Sequence, residues 1–301
     1  MSPVAEQNHG TPIEWTQRPG TRGETWNPIR SRDLVTGKNG WHCEKISPGC
    51  KRCYAETLNK RNLPGCGTGK LYTIEASSEV EMFIHEPTLA QPLGWTKPRT
   101  IFVESMSDLF GRWVTDGMLD RIFAVMALCQ QHTFIVLTKR SERLPEYITA
   151  KQYGRMCAVA SEMEAPHSHR GCAYPLPNVW LGVSVENQEY ADKRIPHLLR
   201  TPAARRFISY EPALGPLDLQ NHTMFWAGNN RLDWVIVGGE SGPGARRMDP
   251  MWARAIIAQC KSADVACFVK QLGRDLELRK DPKGGNWLEW QPDLRVREYP
   301  A

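Results

Sequence analysis

The sequence lacks any run of about eighteen apolar residues, so nothing in it reads as a membrane-spanning helix. Met1 to Gly10 is polar, without the apolar core of a secretory leader, and a cytoplasmic chain with no membrane attachment is expected. An even, regular set of cysteines is also missing. The nine present are an odd number, and six of them are scattered, which argues against a disulfide framework and for a reducing compartment. Strong net charge is absent too: the formal value is +5 over 301 residues. Hydrophobic content of 41% and charged content of 24% are ordinary for a globular chain long enough for one large α/β domain or two smaller ones. Finally, no Gly-rich phosphate turn follows the first apolar segment, which counts against a doubly wound nucleotide-binding sheet.

What is present is concentrated between His42 and Tyr54. Cys43, Cys50 and Cys53 lie within eleven residues, and Pro48-Gly49 marks the stretch as a loop. Lys45, Lys51 and Arg52 stand among the thiols, where positive charge favours the thiolate that ligates metal. Three thiolates without a clear fourth ligand suit an iron–sulfur cluster with one open iron. A closed zinc site needs one more donor, for which His42 and Cys66 are the candidates. Cysteine as a mere buried hydrophobe fits a polar Gly/Pro loop poorly.

Residues 1–70 hold eleven Lys/Arg against six Asp/Glu, so the cationic excess travels with the cysteine loop. A phosphate-bearing substrate or polyanion is one explanation and a solvated basic face is the other. Trp15, Trp26 and Trp41 occur in the same polar region. Such rings either stack on a flat ligand or pack the loop down, and packing is the commoner use.

The rest of the chain repeats one pattern. A short apolar run ends in polar residues, and a helix-like segment follows. The runs are Thr100–Val103, Thr133–Leu137, Asn178–Val183, Arg206–Ser209, Trp234–Val237 and Ala266–Val269, with Ile13–Thr16 as a first, short strand. Gln17 to Gly40 reads as a long irregular segment, and Tyr54–Asn62 as a helix. Continuous apolar strands imply burial on both faces, and alternation with helices implies parallel βαβ units. Seven strands predict a partial or complete parallel (β/α) barrel over residues 12–272, after a disordered stretch over 1–11. In such barrels the strand C-termini carry the chemistry, and the cysteine loop at 41–54 falls on that face. Residues 155–177, with Cys157, His167, His169 and Cys172, read as a surface insertion; 219–232 reads as a polar loop. The tail, 273–301, is expected to pack on the barrel.

The order of strand, cysteine loop and βα units resembles the radical S-adenosylmethionine (radical SAM) superfamily. In finer detail the chain resembles the phage-associated three-cysteine-motif proteins, a family of unassigned function. The strings that carry the likeness are Ile13-Glu-Trp-Thr16, Thr25-Trp-Asn-Pro28, Ser47-Pro-Gly-Cys-Lys-Arg-Cys-Tyr-Ala55, Phe102-Val-Glu-Ser-Met-Ser-Asp-Leu-Phe110, Leu137-Thr-Lys-Arg140, Leu181-Gly-Val-Ser-Val-Glu-Asn187, Ser209-Tyr-Glu-Pro212 and Val237-Gly-Gly-Glu-Ser-Gly242. They span nearly the whole chain and are specific together rather than singly. The sequence departs from the superfamily in its Cys-x6-Cys-x2-Cys spacing, where Cys-x3-Cys-x2-Cys is usual. Arg52 also precedes the third cysteine in place of an aromatic, and Tyr54 follows it. Gly238-Gly239-Glu240 ends the sixth strand, whereas the superfamily's Gly-Gly-Glu ends the second.

The resemblance implies a [4Fe-4S] cluster on Cys43, Cys50 and Cys53, with S-adenosyl-L-methionine on the open iron and a 5′-deoxyadenosyl radical as the working oxidant. By strand position, Glu104, Ser105 and Ser107 are candidates for the cofactor's amine site, and Asp108 is a further cofactor-binding candidate. Tyr54 belongs to the same set, and Ser184 and Glu186 are candidates for its carboxylate or ribose. Lys139, Glu211, Glu240 and Lys270 are candidate catalytic or substrate contacts; ion pairing that closes the barrel mouth is the plainer role for these four. A nucleobase in DNA is the expected substrate, with a flavodoxin or ferredoxin as electron donor in a host cytoplasm. A free nucleotide or small metabolite is the second expectation, and a zinc-stabilised nucleic-acid-binding protein the third.

Overall fold

The structure, a computed structural model, describes residues 10–61, 67–163, 173–220, 231–274, 281 and 283–301. Its frame is a seven-stranded, all-parallel sheet. The first strand is β1 (Arg22–Trp26), followed by a small antiparallel sheet of β2 (Ile29–Asp33), β3 (Asn39–Gly40) and β4 (Val80–Ile84). Then come β5 (Arg99–Val103), β6 (Thr133–Thr138), β7 (Val179–Ser184), β8 (Arg205–Tyr210), β9 (Trp234–Gly238) and β10 (Ala266–Gln271). The parallel strands lie in the order β1-β5-β6-β7-β8-β9-β10 and curl into a half-barrel, with β1 and β10 at its two edges. The partial form of the expected barrel is therefore the one adopted.

Alternation along each strand sorts two apolar layers. Val179, Leu181 and Val183 of β7 face outward with Ile208 of β8 and Val235 of β9, joining the helices in the larger core. Phe102, Ile135, Trp180, Phe207, Trp234 and Phe268 face inward and fill the bottom of the half-barrel. Residues continuing the inward rows toward the strand C-termini are polar: Glu104, Ser184, Ser209, Glu211 and Lys270. Sequence alternation thus sets a dry floor below a polar mouth.

The outer helices are α3 (Asp116–Leu128), α5 (Ala150–Glu162), α6 (Gln188–Arg200) and α7 (Pro250–Ala263); α1 (Tyr54–Lys60), α2 (Glu86–Leu89) and α4 (Arg143–Tyr147) are short. The side chains of Thr115, Thr149, Asn187 and Asp249 accept a first-turn N–H of α3, α5, α6 and α7 respectively, meeting donors that a helix start leaves open.

Four expectations are corrected. Ile13–Thr16 is not a strand: Glu14–Thr16 is one 3-10 turn, and the strand is the more polar Arg22–Trp26. Trp15 instead enters the half-barrel, its ring 4.8 Å from Phe102 and 6.2 Å from Trp234. The irregular stretch 17–40 contains β1, β2 and β3, with β2 paired to β4 from Ile29–Ile84 to Asp33–Val80. Residues 155–162 are not an insertion but the second half of α5, which packs on α3 through Met156 and Ala160. Gly10 and Thr11 are not loose, since Thr11 N–H donates to Gly23 O at 3.1 Å. Residues 1–9, His167, His169, Cys172, Cys66 and most of 219–232 lie outside the described residues. The end of the chain runs along β10, with Glu298 N–H on Cys267 O and Val269 N–H on Val296 O, each at 2.8 Å.

Candidate active site

Gly40 ends β3 and hands the chain to the cysteine loop. Asn59 of α1, fully buried, ties the start of that loop to the stretch of chain at Thr68–Lys70 beyond the helix. Its Oδ1 accepts Trp41 N–H at 3.0 Å and Thr68 N–H at 3.2 Å, and its Nδ2 donates to Lys70 O at 3.0 Å. The loop then crosses the C-terminal ends of the parallel strands. A cavity of about 270 Å³ opens beneath it. Trp15, Phe102 and Leu137 form its apolar end, and polar residues from the ends of β5 to β10 form its walls.

Of the fourteen side chains singled out in the sequence, thirteen line this one cavity: Cys43, Cys50, Cys53, Tyr54, Glu104, Ser105, Ser107, Asp108, Lys139, Ser184, Glu211, Glu240 and Lys270. Glu186 does not. It is fully buried behind the loop, bonded to Ser47 and Arg194.

Burial governs the thiols. It pushes Cys43 up to about 12, with Asp108 adding to the rise and Arg140 opposing it. Burial also raises Cys53, against two backbone N–H groups and Lys139. The loop's own cations do less than their sequence positions imply. Lys45 pairs with Glu56 at 2.8 Å and Arg52 with Glu240 at 3.4 Å. A bound metal reverses this balance, because a coordinating thiol is deprotonated outright.

Among the described residues, no group of three His, Cys, Asp or Glu side chains is arranged around a single ion position. His42, the nearer fourth donor of the zinc alternative, does not line the cavity. The His42 ring packs edge-on between Tyr72 and Trp113, and burial drops it to about 4. A multi-iron cluster makes a different demand, since each cysteine meets a different iron and the sulfurs stand further apart than ligands of one ion. Three thiols lining one cavity supply the ligand count of such a cluster.

The carboxylates divide into committed and uncommitted groups. Asp108 accepts Thr138 Oγ1–H at 2.6 Å, Lys139 N–H at 3.0 Å and Arg140 at 3.2 Å, so it fixes the turn after β6. Glu240 is bidentate with Arg246. Glu211 pairs with Lys270 at 2.8 Å. Ser105 Oγ donates to Asn27 and Ser107 Oγ to His42 O at 2.8 Å, while the Tyr54 hydroxyl donates to Ser105 O. Glu104 is different. Its Oε1 accepts Ile29 N–H at 2.7 Å, and its Oε2 is buried without a hydrogen-bond partner among the described residues. Burial lifts this carboxyl to about 8. Its backbone sits at φ 53°, a left-handed conformation that non-glycine residues seldom take and that is common at functional sites.

Two contributors were missed in the sequence. Arg140 reaches Cys43, Asp108 and Glu44 together, and Ser209 lies 3.5 Å from Glu211. Their signal was position, at or just past a strand C-terminus. Gly238 and Gly239 also find a local reason. A Cβ on Gly238 would stand 2.9 Å from Glu211 Oε2, and one on Gly239 2.7 Å from Gly273. The stacking role considered for Trp26 is excluded, because that ring is fully buried and its Nε1–H donates to Thr88 O.

A family model described as a protein of unknown function (DUF5131) matches residues 10–291. No curated protein and no solved structure matches the chain.

Proposed function

The chain belongs to the DUF5131 family, a family of unknown function, and we propose that it is a radical SAM enzyme whose cluster ligands are Cys43, Cys50 and Cys53. The observation that carries this reading is the meeting of three thiols and the buried carboxyl of Glu104, whose Oε2 has no hydrogen-bond partner among the described residues, on a single cavity at the strand C-termini. When bound, a [4Fe-4S] cluster with S-adenosylmethionine supplies a 5′-deoxyadenosyl radical able to take hydrogen from an unactivated carbon.

The chain's own residues then have separable tasks. Glu104 Oε2 is the acceptor for an ammonium group, and exchanging its proton for that cation satisfies an oxygen otherwise buried at a cost. Ser184 offers a hydroxyl at the end of β7. Glu211 and Lys270 present a carboxylate and an ammonium from β8 and β10, the pair a polar substrate meets. Trp15 and Phe102 close the apolar end and exclude water, which protects a reactive species. A flavodoxin or ferredoxin is the class of electron donor such chemistry requires.

For the substrate, the geometry favours a free nucleotide or small metabolite over a base in DNA. The cations near the loop are largely engaged: Lys45 with Glu56, Arg52 with Glu240, Lys70 with Asp33, and Arg30 over the Trp41 ring at 4.3 Å. Phosphate contacts to DNA would need such charges free.

Anaerobic reconstitution with S-adenosylmethionine and dithionite tests the activity. About four irons per chain and release of 5′-deoxyadenosine are expected, both lost in Cys50→Ala. Equal 5′-deoxyadenosine from wild type and variant ends the assignment. A salt-dependent shift of DNA mobility would return DNA to first place as substrate.

A further inference from the structure

Cys50 and Cys53 sit in a stretch with little backbone support of its own. Among the described residues, the bonds Cys50 N–H to Ser47 O (3.0 Å) and Lys51 N–H to Pro48 O (3.2 Å) are local to the loop. What ties Ser47–Arg52 to the strand ends is side chains, and these converge on two carboxylates.

The first is Glu186, just past β7. Its Oε1 accepts Ser47 Oγ–H at 2.7 Å, and its Oε2 accepts Arg194 of α6 at 3.0 Å. Arg194 is itself fixed by a 2.7 Å bond to Ser184 O. Lys139 Nζ stands 3.8 Å from the same carboxylate. Ser47 Oγ lies 3.6 Å from Cys50 Sγ, so the bond that holds the loop also bears on a thiol. Gly49 packs directly on the carboxylate, where a Cβ would come within 2.5 Å of Oε1.

The second is Glu240, just past β9. It accepts Arg246 through both oxygens, at 2.5 and 3.0 Å, and Arg52 at 3.4 Å. Arg246 also donates to Pro48 O at 3.0 Å. Glu240 therefore gathers one arginine that holds the loop backbone before Cys50 and another that is itself one of the two residues between Cys50 and Cys53.

We propose that Glu186 and Glu240 are positioning residues, two latches that hold Ser47–Arg52 down across the strand ends and so set where Cys50 and Cys53 stand before any metal arrives. The purpose of the latches rests on the cluster reading. Their action is a property of the metal-free chain. Cys43 lies outside their reach, on the side of the loop held by Arg112 and Arg140 through Glu44. Releasing the latches frees two of the three thiols and leaves the third in place.

The test uses the full-length, metal-free protein. Iodoacetamide alkylation is followed at each cysteine by mass spectrometry, and trypsin cleavage after Lys51 and Arg52 is timed in parallel. Ser47→Ala removes one hydroxyl and leaves the Glu186–Arg194 pair intact; Glu240→Gln weakens the second latch. Each variant is expected to speed alkylation of Cys50 and Cys53, and the cleavage, by about tenfold, the scale of one hydrogen bond to a charged acceptor. Cys43 is expected to keep its rate, and Ser47→Thr to restore the wild-type pattern. Unchanged rates, or an equal rise at all three cysteines, overturn the latches. Selective opening in a protein that binds no iron would keep the latches and remove the cluster.

Discussion

The Lys270 ammonium stands 2.8 Å from the Glu211 carboxylate, joining β8 and β10 across the intervening β9. Both groups are largely sheltered, with side-chain exposures of 21% and 15%. Burial works against the charge on Lys270, yet the neighbouring carboxylate holds its pKa above the ordinary lysine value. Lys270→Met is expected to cost about 3 kcal/mol, because it leaves a sheltered carboxylate without its cation. Glu211→Gln in the same chain should recover most of that loss. Urea unfolding of the four proteins in this cycle measures the coupling, and a value near zero would mean that the two side chains only happen to be adjacent.

Glu104 gives a pH signature. Its carboxyl rises from 4.5 to about 8, first through burial and then through Asp108, with the Ile29 N–H and Arg30 opposing. The folded chain therefore keeps a proton that the unfolded chain has released. Stability contributed by that proton is complete below pH 4.5 and is lost as pH climbs through about 8. The slope reaches about 1.4 kcal/mol per pH unit within that window. Glu104→Gln should flatten it. Parallel pH profiles for wild type and variant, in urea melts, would show that the carboxyl is ionised when folded.

Much of the frame was legible because its signal is local. Six of the seven parallel strands are unbroken apolar runs, and burial on both faces requires such runs. The first strand was misread for a physical reason. Arg22–Trp26 is an edge strand that tolerates Arg22 and Glu24, while Trp15 looks like strand material because it is core material in a 3-10 turn. The thirteen cavity residues were legible from strand ends and cysteine spacing. The pairings that hold the cysteine loop were not. Ser47 with Glu186 and Arg52 with Glu240 lie 139 and 188 positions apart, and only the path of the loop brings them together. The small antiparallel sheet escaped notice because Ile29–Asp33 buries the polar Ser31 and Asp33, which give no apolar alternation, within a stretch otherwise full of turn formers.

Trp15 plugs the half-barrel from within. It is 3% exposed, and its turn lies against β1, β5 and β10, bridging the two edge strands that do not pair. Trp15→Ala should cost about 3–5 kcal/mol, the range for removing a large aromatic side chain from a core. Trp15→Phe should retain much of the packing against Phe102. Thermal melts of both variants check this. A change within about 1 kcal/mol for Trp15→Ala would mean that β1 and β10 need no bridge.

Gly49 packs against the Glu186 side chain just past β7. A methyl group there would meet Glu186 Oε1 at 2.5 Å and the carboxyl carbon at 3.0 Å. An unrestrained glutamate would swing aside at small cost. This one is restrained at both oxygens, by Ser47 and by Arg194, with no exposure to solvent. Gly49→Ala should therefore cost about 1–3 kcal/mol, as overpacking does. The cost has two routes of relief, lifting the loop or turning the carboxylate, and a second substitution separates them. In a Ser47→Ala background Oε1 is already free to turn, so the penalty for Gly49→Ala should shrink there. Equal penalties in both backgrounds, measured by urea unfolding, would place the clash on the loop backbone rather than on the glutamate.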